Sequence, residues 1–156
     1  MDRRTFMMTG AWLSTTAGSA WPWLTHAAVR GNTLAIVDST LVHGPAFAQF
    51  AGHMKLPIFE TGDDIGALWY TTLAPRVRLM SAREPISPVS LIGLTRASDY
   101  FVLRDLATRA GLRAEHEHEH AHEQRTGSAA RPAHITFAFA PRTLVECPRE
   151  HPRQNL

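Results

Sequence analysis

Cysteine is almost missing from this sequence, and neither sign of charge dominates it. With Cys147 as the single cysteine, the chain can form neither an intrachain disulfide framework nor a four-cysteine zinc site. The 16 basic residues nearly balance the 14 acidic ones, so the chain lacks the strong positive charge that a nucleic-acid partner requires. The hydrophobic fraction of 44% is high enough for a packed core, which argues against a disordered chain.

Several catalytic and cofactor motifs are also missing. Residues 38–45, which follow the first predicted strand, contain Gly44 as their single glycine, so neither a dinucleotide fingerprint nor a P-loop is present. The sequence contains no Gly-x-Ser-x-Gly nucleophile elbow either. We therefore expect no nucleotide cofactor bound in the usual way. Whether the protein is an enzyme stays open, although the absence of a catalytic motif favours a non-catalytic role.

The first 28 residues have the order of an export signal. A basic start is followed by an apolar and small-residue stretch, and small residues then offer a cleavage site at Thr25-His26-Ala27-Ala28. Gly18-Ser19-Ala20 is a second candidate cleavage site. Arg3, Arg4 and Phe6 resemble the twin-arginine (Tat) motif of bacteria, with Asp2 in place of the usual Ser or Thr.

This resemblance implies a bacterial protein that the Tat machinery exports to the periplasm or the cell exterior. We expect residues 1–28 to be removed, which leaves a mature chain without a membrane attachment. Two alternatives are an uncleaved anchor and an N-terminal helix that belongs to the fold. An anchor is a poor fit because Gly10, Gly18 and several Ser and Thr residues interrupt the apolar stretch.

Short apolar runs alternate with helical patterns through residues 29–147. Leu34-Ala35-Ile36-Val37 is typical of a strand buried on both faces. The predicted strands are 34–37, 56–59, 89–94, 112–117 and 134–140, and the predicted helices are 45–54, 65–73 and 98–110. This order predicts one α/β domain: a small three-layer sandwich around a mostly parallel sheet of about five strands. The last two strands are candidates for an antiparallel hairpin across a polar linker at 124–133, and residues 148–156 are expected to form a disordered tail.

Polar side chains follow the first three predicted strands. Because the carboxyl ends of parallel strands meet at one edge of a sheet, these side chains are candidates for a ligand site there. The candidates are Asp38, Ser39, His43, Thr61, Asp63, Thr95 and Arg96. Such a set suits a small polar ligand, with Arg96 contacting an anion. The alternative is that these residues serve as helix caps and turns, as the spacing of Thr61 and Asp64 and the position of Ser98 indicate.

A run of alternating histidines and acids at residues 115–123 is the most unusual chemical feature. Its histidines are His116, His118, His120 and His122. In an extended chain all four project from one face, whereas in a helix they form two i,i+4 pairs. Imidazoles in either arrangement are ligands for Zn²⁺, Cu²⁺ or Ni²⁺. The run resembles the acidic, His-rich loops of periplasmic zinc-binding proteins, but a solvated low-complexity segment is the alternative. If the run extends the fourth strand, it borders the same sheet edge, where His43 or Asp38 could complete a site.

Three functions are compatible with these patterns. The first is an exported, non-catalytic module that binds a small polar ligand or a periplasmic partner protein. The second is a periplasmic metal-binding or metal-delivery protein that uses the histidine run. The third is a small hydrolase-like enzyme with Asp38, His43, Asp63 and Arg96 at the sheet edge. Residues 63–70 and 93–96 resemble an uncharacterised group of small exported bacterial α/β proteins, and this resemblance implies no activity.

Overall fold

The computed structural model describes residues 22–83, 89–120 and 133–142 of the chain. These residues form five helical segments, a π-helical turn and five strands. In chain order they are α1 (Pro22–Ala28), β1 (Thr33–Val37), α2 (Gly44–His53), β2 (Ile58–Glu60), α3 (Ile65–Leu68), the π-helical turn Trp69–Leu73, α4 (Ala74–Arg83), β3 (Ser90–Arg96), α5 (Ala97–Arg109), β4 (Leu112–His120) and β5 (His134–Pro141). No helix in the described part of the chain is long and apolar enough to cross a membrane.

The five strands form one mixed sheet in the order β2-β1-β3-β5-β4. The strands β2, β1 and β3 are parallel, as expected for strands joined through helices. The strand β5 lies antiparallel to both β3 and β4, so the predicted C-terminal hairpin is present. Every residue of β1 is buried, which agrees with its unbroken apolar sequence. The predicted α/β fold is therefore confirmed.

Helices cover both faces of the sheet and bury two separate apolar cores. On one face, α1 and α2 contribute Leu24, Phe47 and Ala51, which pack with alternate residues of β1 and β3 such as Val37 and Ile92. On the other face, α3 to α5 pack on the remaining strand residues through a second set: Ile65, Trp69, Leu73, Val77, Tyr100 and Leu103. The three layers follow from the alternation of side chains along each strand, which supplies both faces with apolar groups.

Residues 22–28, which lie within the predicted export signal, form α1 and pack on the sheet. Leu24 is 0% exposed, and Ala27 and Ala28 are also buried. The carbonyl oxygen of Ala27 accepts a hydrogen bond of 3.0 Å from the Thr33 hydroxyl of β1. This packing is the one expected if the N-terminal helix belongs to the fold. The signal residues Arg3, Arg4 and Phe6 lie outside the described residues.

The helix predicted to stop before Pro75 instead continues to Arg83. In the π-helical turn, the backbone N–H of Ala74 donates to the carbonyl of Trp69, five residues earlier. Pro75 is the second residue of α4 and has no backbone N–H to donate, so the helix continues past it with one backbone hydrogen bond missing, directly after the π-helical turn. The predicted helix 65–73 is therefore too short, since helical structure continues to residue 83.

The helix α5 also begins differently from the prediction. Its N-cap residue is Arg96 rather than Ser98 or Asp99, and no side chain caps it. Instead, the backbone N–H of Ala97 donates to the carbonyl of Ala133, which precedes β5, at 2.9 Å. A contact with a distant strand thus replaces the local capping bond. Gly111 follows the end of this helix with a φ of 88°, a left-handed conformation that favours glycine.

Candidate functional site at the carboxyl ends of the strands

The carboxyl ends of β1, β2, β3 and β4 and the start of β5 meet at one edge of the sheet, which we call the rim. From β1 the chain passes to β2 on one side, and from β2 it crosses to β3 on the other. The strand order therefore reverses between β1 and β3. In open α/β sheets this reversal opens a crevice in which ligands bind.

An ion pair lies at this reversal. The Nε of Arg96, at the end of β3, lies 2.9 Å from Oδ2 of Asp38, which directly follows β1. Asp38 is 2% exposed, whereas the Arg96 side chain is 45% exposed. The other Asp38 oxygen accepts hydrogen bonds from the hydroxyl and, at 3.0 Å, from the backbone N–H of Thr40. The structure thus brings two predicted site residues together, and Arg96 contacts a carboxylate of the protein itself.

Thr40 and Asp99 complete the surroundings of this pair. Arg96 donates from Nη2 to the Thr40 hydroxyl at 3.3 Å. The pKa of Asp99, in the first turn of α5, is raised above its ordinary value by burial; Arg96 opposes this rise and the charge of Asp38 adds to it. Arg96 thus pairs with Asp38 and also interacts electrostatically with Asp99.

A glycine fixes the loop that carries Asp38. A Cβ at Gly44 would clash with the carbonyl oxygen of Asp38 and would lie 2.9 Å from Cα of Ser39. The backbone N–H of Gly44 donates to the carbonyl of Leu41 at 2.9 Å, which closes the turn. This close approach of two backbone segments holds Asp38 at the rim and the neighbouring His43 beside it.

The other predicted residues at the rim have different roles. Ser39 donates from its backbone N–H and its hydroxyl to Oε1 of Glu60, at 2.7 and 2.9 Å. Thr61 and Thr95 are buried, and the Thr95 hydroxyl donates to the Arg96 carbonyl at 3.2 Å. Asp63 is exposed.

The alternative of caps and turns is correct for Asp64. This residue is the N-cap of α3, and its carboxylate accepts from the backbone N–H of Ala67 at 2.9 Å. The sequence predicts a capping arrangement that pairs Asp64 with Thr61, whereas this bond joins Asp64 to Ala67. One polar residue after β2 therefore has a structural role, which any helix start would require.

The histidine run is extended as far as His120 and forms most of β4. A bulge between Ala114 and His116 sets its register, so that His116, His118 and His120 lie opposite Ala138, Thr136 and His134 of β5. Ala138 belongs to the core under α1 and α2, which places these three histidines on that face of the sheet. His116 lies beside Trp23 of α1, at 5.0 Å between ring centroids. His122 lies outside the described residues.

Three imidazoles from separate segments meet at the rim. The ring centroids of His120 and His134 are 4.8 Å apart, and the rings are nearly parallel. His43, just before α2, lies 5.8 Å from His120 and 5.5 Å from His134. We call these three residues the rim histidines. The ring centroid of His118, the preceding histidine of β4, lies 4.8 Å from that of His120.

The rim histidines are shielded from solvent to different degrees: His43 and His120 are half-buried and His134 is buried. His134 is 6% exposed. The pKa of His120 is lowered to about 4, first by burial and then by the neighbouring His134, His118 and His43 rings. The His120 ring is therefore neutral near pH 7. Its Nε2 lies 2.8 Å from the hydroxyl of the buried Thr136, a contact that fixes the orientation of the ring.

The Asp38–Arg96 pair and the histidines of β4 and β5 form one row across the ends of β1, β3, β5 and β4. His134 lies directly opposite Arg96 in the β3–β5 pair, and His120 lies opposite His134 in the β4–β5 pair. The row therefore runs from Asp38 through Arg96 and His134 to His120. Within the described residues, no group of three or more His, Cys, Asp or Glu side chains is arranged to hold a metal ion as it stands.

Thr40 and Glu60 belong to the polar segments after β1 and β2, which the sequence predicts to lie at the rim. Sequence reasoning does not identify His134 as a residue of the rim. The pattern predicts His134 as the first residue of a strand, with no expected burial. Its place becomes evident only from the pairing of β5 with both β3 and β4.

Comparison with known proteins gives no match: no protein-family model, curated protein or solved structure is similar to this chain.

Proposed function

We propose that this chain is an exported protein that binds a small polar ligand or a periplasmic partner at the rim and does not catalyse a reaction. The observation that supports this proposal most directly is the Asp38–Arg96 pair at the reversal of strand order. A half-exposed guanidinium there retains N–H donors for a carboxylate or phosphate group of a ligand. The same pairing makes Asp38 a weak candidate for a general base, because Arg96 and Thr40 already occupy its oxygens.

Thermal unfolding in the presence of small anions tests the binding site. We expect at least one carboxylate or phosphate compound to raise the Tm of the full chain, since a ligand that binds only the folded state stabilises it by about 2.7 kcal/mol at 100 times its Kd. The R96Q variant should lose this shift. The variant R109Q is the matched control, because Arg109 forms an exposed ion pair with Asp105 within α5.

Each shift is measured against the same variant without ligand, so that any change in basal stability does not affect the comparison. An equal shift in R96Q and the unmodified chain would place the ligand elsewhere. If no compound raises the Tm, the proposed binding function is wrong for this class of ligand.

The export part of the proposal rests on the resemblance of the N-terminal sequence to a Tat signal. The packing of α1 supports cleavage after Gly18-Ser19-Ala20 rather than near Ala28, because the later cut would remove α1 from the sheet. Mass spectrometry of protein from the periplasm should therefore find a chain that begins at Trp21. Replacing Arg3 and Arg4 together by lysine should keep the protein in the cytoplasm. A mature chain that begins at Val29 would contradict the proposed boundary.

Transition-metal binding is a second function, and the shape of β4 favours it. The extended histidine run aligns three imidazoles on one face of the sheet, and the rim adds two more. Zn²⁺, Cu²⁺ and Ni²⁺ are the metals that such ligands prefer. Equilibrium dialysis of the full chain against each ion tests this function. Binding no tighter than about 10 µM would be typical of an exposed histidine run and would argue against it.

A further inference from the structure

We propose that the rim histidines His43, His120 and His134, of which only His120 belongs to the histidine run, form a binding site for one Zn²⁺, Cu²⁺ or Ni²⁺ ion. This inference rests on the second function above and assigns its site. The three residues come from three separate segments: the loop before α2, the end of β4 and the start of β5. Metal sites are typically built in this way, from ligands that the fold brings together.

The spacing of the rings fits one metal ion. A metal-bound imidazole has a metal–nitrogen distance of about 2.0–2.1 Å, and its ring centre lies about 1 Å further out, so two such rings on a tetrahedral ion have centres about 5 Å apart. The three centroid distances among the rim histidines are 4.8, 5.5 and 5.8 Å. The ring centres therefore already have the separations that shared coordination requires.

The nitrogens need only a rotation of the rings to converge. His120 and His134 are stacked with 14° between their planes, an arrangement in which their nitrogens do not point at a common centre. Rotation about the Cβ–Cγ bond of histidine is soft, and it turns the nitrogens while the ring centre stays nearly in place. Because Thr136 holds the His120 ring, binding requires rotation of the His43 and His134 rings and leaves the backbone unchanged.

The backbone around the site is fixed in advance. His120 and His134 occupy directly opposed positions on two hydrogen-bonded strands. His43 precedes Gly44, whose close contact with the carbonyl of Asp38 holds the loop. The Thr136 hydroxyl, 2.8 Å from Nε2 of His120, can hold one nitrogen of this ring and leave the other for the metal. Nearer the start of β4, the ring beside His116 is that of Trp23 rather than another histidine, so the fold offers fewer metal ligands there.

Zn²⁺ titration by calorimetry of the full chain and of matched variants tests the proposal. H43A and H120A each remove one proposed ligand at a half-buried position, whereas H116A removes a histidine of the run that is not a proposed ligand. We expect one Zn²⁺ ion per chain and a loss of affinity of at least about tenfold in H43A and in H120A. H116A should bind as tightly as the unmodified chain.

A second measurement identifies the ligands without substitution. NMR of the imidazole nitrogens during addition of one equivalent of Zn²⁺ should shift the His43, His120 and His134 signals and leave His53 unchanged. Circular dichroism of each variant shows whether it still folds, so that loss of binding is not confused with loss of structure.

The possible results of the titration distinguish failure of the proposed site from failure of metal binding as a function. Tight binding that H43A leaves intact and H116A weakens would overturn the proposed site and keep metal binding by the run. Binding no tighter than about 10 µM in the unmodified chain would overturn both.

Discussion

The substitution Leu24→Ala tests whether α1 is part of the folded domain. Leu24 is 0% exposed and packs in the core between α1, α2 and the sheet. Alanine removes three carbons from this core, which costs about 2.4 kcal/mol at about 0.8 kcal/mol for each buried CH₂ group. The cavity adds to this cost because the surroundings relax only in part, so we expect a loss of about 3 kcal/mol in the free energy of unfolding.

Urea denaturation of the full chain, followed by circular dichroism, measures this loss. Val29→Ala is the matched control, because Val29 follows α1 directly and is 69% exposed. We expect this control to change the free energy of unfolding by no more than about 0.5 kcal/mol. The slope of the denaturation curve should stay the same in both variants if the unfolded state is unaffected.

A small effect of Leu24→Ala would contradict the assignment of α1 to the core. If the loss is below about 1 kcal/mol, or no larger than that of the Val29 variant, α1 does not contribute to the core as its burial indicates. The proposed cleavage site upstream of α1 would then lose its main support. A loss of the expected size would show that removing residues 22–28 damages the domain.

Three further substitutions and one matched control test other features of the structure. Gly44→Ala should destabilise the protein by several kcal/mol in urea denaturation because its Cβ would clash with backbone atoms. Its control, Gly52→Ala, whose Cβ meets one side-chain atom at 4.0 Å, should instead stabilise α2 by up to about 1 kcal/mol. Tyr100→Phe removes a hydrogen bond from a buried phenol to Glu117 and should cost about 1 kcal/mol; a cost that persists when Glu117 is also replaced by alanine, which has no acceptor, would contradict this assignment. Asp99→Asn should raise stability at pH 7, because burial raises the pKa of Asp99 and makes its charged form unfavourable in the folded state. This gain should disappear below the ordinary pKa of 3.8, where the carboxyl is protonated in both states, and a gain that persists at pH 2 would contradict burial of the charge as its cause.

Hydrophobic patterns were sufficient to predict most of the sheet. The run of four apolar residues in β1 reflects burial of both faces of that strand, which is a property of the local sequence. The alternation in β5 would by itself indicate one covered face, whereas this strand is buried on both faces because small residues such as Ala138 alternate with its large ones. The continuation of the helix through Pro75 was not predictable in this way. It depends on a π-helical turn just before the proline, and nothing in residue type or spacing specifies that turn.

The rim was predictable as a location but not as a set of contacts. Polar residues after the strands correctly indicated that Asp38 and Arg96 lie at one edge of a parallel sheet. That these two residues contact each other depends on β1 and β3 being neighbours, and the sequence did not determine strand order. The rim histidines depend in addition on the register of β4 against β5, which a one-residue bulge sets.

The packing of α1 on β5 has a consequence for when the domain can be completed in the cell. The first described helix packs against the last described strand, so its docking surface is complete only after every described element between them has been synthesised. The ribosome must therefore release β5 before this face of the sheet can close. Until then, the part of α1 that packs on β5 stays uncovered. An export route that accepts only folded cargo would consequently act on this protein only after β5 has left the ribosome.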